Sequence, residues 1–249
     1  MPQVAMPQLT MNAWLRLDAI RRNLRIARPT TVLEIGAGEG GLGAWLAAHY
    51  DYTGVEVDAC ARETAVARVG GAGSGRVVGD LATVDGRRFD LACAFEVLEH
   101  IGDDRAALRA WHEHIRSLGW IMLSVPAHQR QFGAADRLAG HHRRYERAEL
   151  RARLDEAGFT IARLTTHGAG LGQMLEQGRN LVAGRASRGE PADTTPEERT
   201  SASGRWFQPK SRATAAAFAA VAAPGRLLQT PFARTDVGTG YVVLARRIT

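Results

Sequence analysis

Lysine is almost missing from this chain: all but one of its 32 basic residues are arginine, the exception being Lys210. The arginines are scattered and no long basic block occurs. The net charge of +6 and a sequence pI near 10.1 therefore come without the clustering that a nucleic-acid partner requires, and they suit an acidic substrate equally well. Cysteine is scarce too. Cys60 and Cys93 stand alone, with no CxxC spacing and no Cys/His array, which argues against a disulfide framework and a structural zinc site; no metal is expected. Long apolar runs are also absent. The longest weakly apolar stretch, residues 213–223, is too short and too alanine-rich to span a bilayer. Residues 1–15 carry no basic cap followed by an apolar segment, so a cytoplasmic location is expected. No internal repeat is visible. What remains is ordinary for a folded protein: 249 residues, 45% hydrophobic and 23% charged, enough for one α/β domain with a decorated edge, expected as a monomer or homodimer.

Apolar periodicity predicts the elements. Trp14, Leu15, Leu17, Ile20 and Leu24 fall at helical spacing over 11–26, and Arg28-Pro29-Thr30 ends that helix. Short β runs follow at 31–35, 52–56, 76–78, 89–94, 120–125, 159–165 and 241–245. Between them come helices over 42–49, 59–69, 103–118 (capped by an acid) and 147–156, the last stopping at Gly158. Alternating strands and helices predict a Rossmann-like, seven-stranded, mostly parallel sheet with helices on both faces. About seventy residues separate the sixth and seventh strands, far beyond an ordinary connection. They hold helical pieces at 171–182 and 213–223 and a Ser/Thr/Pro/Glu/Gly-rich loop at 187–203. The whole chain, 1–249, thus divides into an N-terminal helix (10–28), a core (30–166), an insertion or lid (167–238) and a last strand (239–248).

The first strand runs into Glu34-Ile35-Gly36-Ala37-Gly38-Glu39-Gly40-Gly41. Glycines there let the backbone turn tightly and approach a ligand, and the following helix offers free N–H groups. Gly36, Gly38 and Gly41 also satisfy GxGxxG, with Glu56 about twenty residues on, as in dinucleotide-binding folds. The glycines alone leave NAD and S-adenosylmethionine open. Three acidic features favour the second. Glu34 is a carboxylate inside an apolar strand, costly without a partner. Asp80 follows the third strand. Phe95-Glu96-Val97-Leu98-Glu99-His100 follows the fourth with two more carboxylates. Ligands of open α/β sheets bind at that edge, and an acid-lined crevice suits a cationic cofactor rather than a pyrophosphate.

The ordered set of motifs resembles class I S-adenosylmethionine-dependent methyltransferases, and the 89–101 segment is similar to the type 11 subgroup. The resemblance covers residues 30–165 and the final strand. It implies a strand order 3-2-1-4-5-7-6 with the seventh strand antiparallel, and roles for individual residues. Glu34 with Gly36, Ala37, Gly38 and Gly40 would approach the methionyl part of S-adenosylmethionine. Glu56, followed by Val57, would bind the ribose hydroxyls. Asp80 would accept from the adenine amino group beside Leu81. Phe95, Glu96 and Val97 would flank the sulfonium, and S-adenosylhomocysteine would be the product.

A methyl acceptor must be aligned with the sulfonium, and orientation alone contributes about 7–11 kcal/mol. A hydroxyl acceptor also calls for a general base, most often histidine. His100 is the first candidate, beside the expected sulfonium site. His128 and the run Gly140-His141-His142-Arg143-Arg144-Tyr145 come next. His141 and His142 are candidate bases; His128, Arg143, Arg144 and Tyr145 are candidate substrate contacts, the arginines for a carboxylate or phosphate. Trp206 offers a stacking surface from the insertion. The expected function is methyl transfer to the O or N of a small-molecule acceptor; an NAD-dependent oxidoreductase and a nucleic-acid methyltransferase are the alternatives.

Overall fold

The computed structural model describes residues 9–73, 75–84, 86–186 and 211–248. A helix α1 (Met11–Ala27) precedes the sheet and is opened by Thr10, whose hydroxyl accepts from the Ala13 amide at 3.2 Å. Arg28 ends it in the left-handed region at φ 46°, as the Arg-Pro pair predicts. The order is then β1 (Thr31–Ile35), α2 (Gly43–Ala47), β2 (Asp51–Val55), α3 (Ala59–Gly70), β3 (Arg76–Val78), β4 (Phe89–Phe95), α4 (Asp104–Glu113) and β5 (Ile115–Pro126). It continues with α5 (Ala134–Ala139), α6 (Arg147–Glu156), β6 (Phe159–His167), α7 (Leu171–Ala186), α8 (Arg212–Leu228) and β7 (Gly240–Arg247).

The seven strands form one sheet in the order β3-β2-β1-β4-β5-β7-β6. β3 to β5 pair in parallel, and β7 runs antiparallel between β5 and β6. All five residues of β1 are buried, as a central parallel strand covered on both faces should be. One face packs Leu108 and Trp111 of α4 and Leu150 and Leu154 of α6. The other packs Ile20 and Leu24 of α1, Leu46 of α2 and Val69 of α3. Each such large side chain, fully buried, contributes about 1.5–3 kcal/mol.

The structure corrects several boundaries. The helix expected over 103–118 stops at Glu113, and Ile115 already belongs to β5. Leu108, Trp111 and Ile115 keep helical spacing, but Phe89 takes the His114 carbonyl at 2.8 Å and Ile115 pairs with Phe89. Strand pairing thus claims a segment whose local pattern is helical. The helix over 42–49 shrinks to five residues. The 213–223 piece extends through Pro224 to Leu228, a proline that local rules read as a stop. The short α5, between Gly133 and a left-handed Gly140 at φ 76°, has no counterpart among the expected elements. The 187–203 loop and Trp206 lie outside the described residues.

Candidate functional site

The C-terminal ends of β1, β2, β4 and β6 open onto a cavity of about 1020 Å³. Its floor is the turn after β1. Gly36 (φ 75°), Gly38 (φ 55°) and Gly40 (φ 74°) all occupy the left-handed region, which disfavours any side chain. A Cβ at Gly36 would strike the Val97 side chain, while Gly38 faces open space. This loop comes close to a neighbour at one point and leaves room for a ligand at the next.

Carboxylates surround that floor. Glu34 is 3% exposed and accepts from the Tyr52 hydroxyl at 2.5 Å. Burial pushes its carboxyl up to about 7, against the pull of the Tyr52 hydrogen bond and Arg16 and with the push of Glu56. Glu56, at the end of β2, accepts from the Gly38 amide at 2.7 Å and the Asp58 amide at 2.9 Å, so the acid and the glycine loop fix each other. Asp58 caps α3 through the Ala61 amide. Glu96 sits at φ 58° just past β4, takes the Ser124 hydroxyl at 2.8 Å and faces Arg16 at 3.6 Å. Burial works against its ionised form, but Arg16, His167 and Ser124 prevail and hold the carboxyl below its usual range.

The far wall carries histidines and a buried ion network. His100, His141 and His167 line the cavity. Burial, reinforced by His141, lowers His100 to about 3, and burial lowers His167 to about 4 although Glu96 opposes it. Both are neutral near pH 7 and able to accept a proton. Arg144 binds both Asp136 oxygens at 2.9 Å and pairs with Glu176 of α7. Asp136 also accepts from His141 Nδ1 at 2.8 Å. Burial would raise the Asp136 carboxyl, yet the His141 and Arg144 bonds bring it down to about 2. The cavity's apolar lining includes Leu9, Leu15, Leu171, Leu175, Val182 and Phe218.

Of the expected cofactor residues, Glu34, Gly36, Ala37, Gly38, Glu56 and Val57 come together on this lining. Phe95, Glu96 and Val97 join them there. Gly40 turns the loop against Ala65, whose Cα lies 2.9 Å from a Cβ placed on that glycine. Asp80 and Leu81 lie off the lining; Asp80 is exposed and closes its own turn by accepting from the Ala82 amide at 2.9 Å. Of the acceptor-side residues, His100, His141 and Arg144 reach the cavity. His142 is exposed. Arg143 binds Asp104 at 2.8 Å. Tyr145 is a core residue donating to Asp104 at 3.0 Å, and the buried His128 meets Glu146 and the Tyr241 ring. Sequence reasoning passed over Arg16, Asp136 and His167. His167 ends β6, which runs in the same direction as β1 to β5, at the edge where ligands bind; that position was a readable signal.

A model of the methyltransferase domain family matches residues 11–164. The chain belongs to this family. The methyltransferase also shares 30% identity over 119 residues with a ubiquinone biosynthesis O-methyltransferase of Bordetella avium (strain 197N), covering 45% of this chain and 48% of that one. It thus spans about half the length of the curated relative it matches. Among solved structures, a protein of Bacillus halodurans C-125 assigned to the methyltransferases superposes with a TM-score of 0.60 at 13% identity, over 93% of this chain and 100% of that one. The N-methyltransferase NodS of Bradyrhizobium japonicum WM9, in complex with S-adenosylhomocysteine, does so at 0.55 and 14%, over 94% and 88%. At such identities these likenesses carry the fold and no more.

Proposed function

We propose that this methyltransferase uses S-adenosylmethionine to methylate the oxygen or nitrogen of a small-molecule acceptor. The observation that carries the reading is the acid-lined cavity above the glycine turn. Ligand pockets typically occupy about 300–1,000 Å³, so a space of about 1020 Å³ accommodates a cofactor together with an acceptor. The residues fit a cationic nucleoside ligand. Gly38 leaves its approach open, Glu56 presents a carboxylate already oriented by two backbone amides, and Glu34 and Glu96 offer negative charge to an ammonium and a sulfonium. The adenine role of Asp80 and Leu81 rests on the motif resemblance, since both lie off this lining.

When bound, S-adenosylmethionine supplies an activated methyl group. The chain's own work is to bind, orient and exclude water. Glu56 holds the ribose. Arg16 fixes Glu96, so that its charge stays at the reacting end. The Arg144 network ties α7 to α5 and keeps the polar wall rigid. A neutral His167, on the cavity wall, is the group assigned to take a proton from an acceptor hydroxyl. α7 and Phe218 of α8 supply much of the apolar wall, which suits an acceptor with an apolar body. The ubiquinone O-methyltransferase relative supports oxygen as the receiving atom. No helix among the described residues is long and apolar enough to cross a membrane.

The test is calorimetry with S-adenosylmethionine, S-adenosylhomocysteine and NADH on wild type, Glu56→Ala and Asp80→Ala. Micromolar binding of the first two ligands, absent for NADH and lost in Glu56→Ala, is expected. Binding of NADH alone, or affinities unchanged in both variants, would sink the reading.

A further inference from the structure

Glu99 is a carboxylate with 0% exposure, and neither of its oxygens has a hydrogen-bond partner among the described residues. Its acidic neighbours are provided for. Glu96 faces Arg16, and Asp136 is held by Arg144 and His141. Glu99 has only the His141 Nε2 atom, 4.0 Å away. Burial raises its carboxyl well above the usual range, and a carboxyl left this way is either kept protonated or compensated by a cation.

The surroundings supply the rest of a cation's needs. One donor atom each from Glu99, His100 and His141 lies within 4.8 Å of the other two, and the His100 and His141 rings meet edge to face at 4.5 Å. A cation bonded at about 2.0–2.2 Å draws such atoms together through small side-chain rotations. The His141 ring is already oriented. Its Nδ1 is engaged by Asp136 at 2.8 Å, which leaves the Nε2 lone pair facing Glu99. A carboxylate behind the far nitrogen is the usual support of a metal-ligating histidine, and here Arg144 fixes that carboxylate in turn. His100 and His141 also line the cavity.

We propose that Glu99, His100 and His141 form a divalent-cation site, with Asp136 as its supporting carboxylate and open coordination positions toward the cavity. Two imidazoles and one carboxylate select zinc, cobalt or another first-row transition ion over magnesium. The sequence alone predicts no metal, because Glu99-His100 and His141 lie in separate segments that only the fold brings together. The site stands independently of methyl transfer. Its role, resting on the proposed function, is to receive an oxygen of the acceptor at an open position and so orient it.

The experiment is a titration of chelator-stripped full-length protein with Co²⁺, followed by visible absorption, with Zn²⁺ as competitor and Mg²⁺ as control. S-adenosylhomocysteine binding is measured on the same wild-type sample. Wild type should develop ligand-field bands saturating at one equivalent, which Zn²⁺ abolishes and Mg²⁺ does not. Glu99→Gln and His100→Gln should each weaken Co²⁺ binding about tenfold or more; circular dichroism identifies a variant that fails to fold, and the other then decides. Folded wild type that binds no Co²⁺, or folded variants that bind it as wild type does, would overturn the site. Co²⁺ binding without S-adenosylhomocysteine binding would sustain the site and remove the cofactor reading; the converse would do the opposite.

Discussion

At the scale of single residues the site works by burying charge, and Glu34 shows what that costs. Its carboxyl is raised from 4.5 to about 7 in the folded chain. Below pH 4.5 it is protonated folded and unfolded, and contributes nothing. Between 4.5 and about 7 the unfolded chain releases the proton while the folded chain keeps it, so stability falls as pH rises. Above about 7 the penalty levels off, at roughly 3 kcal/mol. Glu34→Gln keeps an acceptor for the Tyr52 hydroxyl and removes the titration. Urea midpoints should therefore separate in the variant's favour between about pH 5 and about pH 8; parallel curves would show that Glu34 is not perturbed. A bound cofactor's ammonium would relieve the same penalty, which explains why a charge belongs there. Gly36 makes a different demand. Its φ of 75° and the adjoining Val97 side chain leave no place for a methyl group, so Gly36→Ala should destabilise by about 1–3 kcal/mol and abolish S-adenosylhomocysteine binding by calorimetry. An alanine variant that binds normally would show that the turn is more adaptable than its geometry. These positions were legible because the β1 turn is local in sequence. The Asp136–Arg144–Glu176 network was not, since it joins three segments that only the packing of α7 on α5 brings together.

Among the elements, legibility followed local stop signals more than burial or length. β1, β3 and α6 coincide with the spans that periodicity and turn residues predict, because each has a local stop in glycine or proline and one clear apolar pattern. The α4–β5 junction failed, because Ile115 satisfies the helical spacing of α4 and the pairing of β5 with β4 at once; a non-local ladder decided it. α1 and α8, 214 residues apart at their joining hydrogen bond, could not have been paired from sequence. Gln229, just past α8, is 7% exposed and stitches them. Its Nε2 donates to the Leu15 carbonyl at 2.6 Å and its Oε1 accepts from the Gly168 amide at 2.7 Å. Gln229→Ala would strand the buried Gly168 amide and remove the second donor from the Leu15 carbonyl, at about 1–3 kcal/mol. Since α1, α7 and α8 wall the cavity, the same substitution should speed hydrogen exchange in α1 and α8 while leaving β1 and β4 protected. Uniform loss of protection would mean that the helices unfold only with the sheet.

The whole molecule combines a rigid sheet, fully covered on its central strands, with a cavity whose outer wall is helical and contributed by both ends of the chain. Scattered arginines agree with this division. Arg144 and Arg226 are committed to internal carboxylates, Asp136 and Asp18, rather than arrayed on one face. Such pairs cancel, so the net charge of +6 is carried by the other basic residues, which are scattered along the chain rather than gathered in a block. A ligand that bridges the glycine turn and the helical wall must then stabilise the entire fold. At a concentration of 100 times its Kd, S-adenosylhomocysteine contributes about 2.7 kcal/mol, which for a domain of this size raises the melting temperature by roughly 5–10 °C. NADH and single-stranded RNA at matched concentrations should leave it unchanged, the RNA also at low salt, where phosphate contacts are strongest. A shift with RNA that fades as salt rises would mean that the arginines do form a surface for nucleic acid, and that the acceptor is to be sought on a polymer rather than inside the cavity.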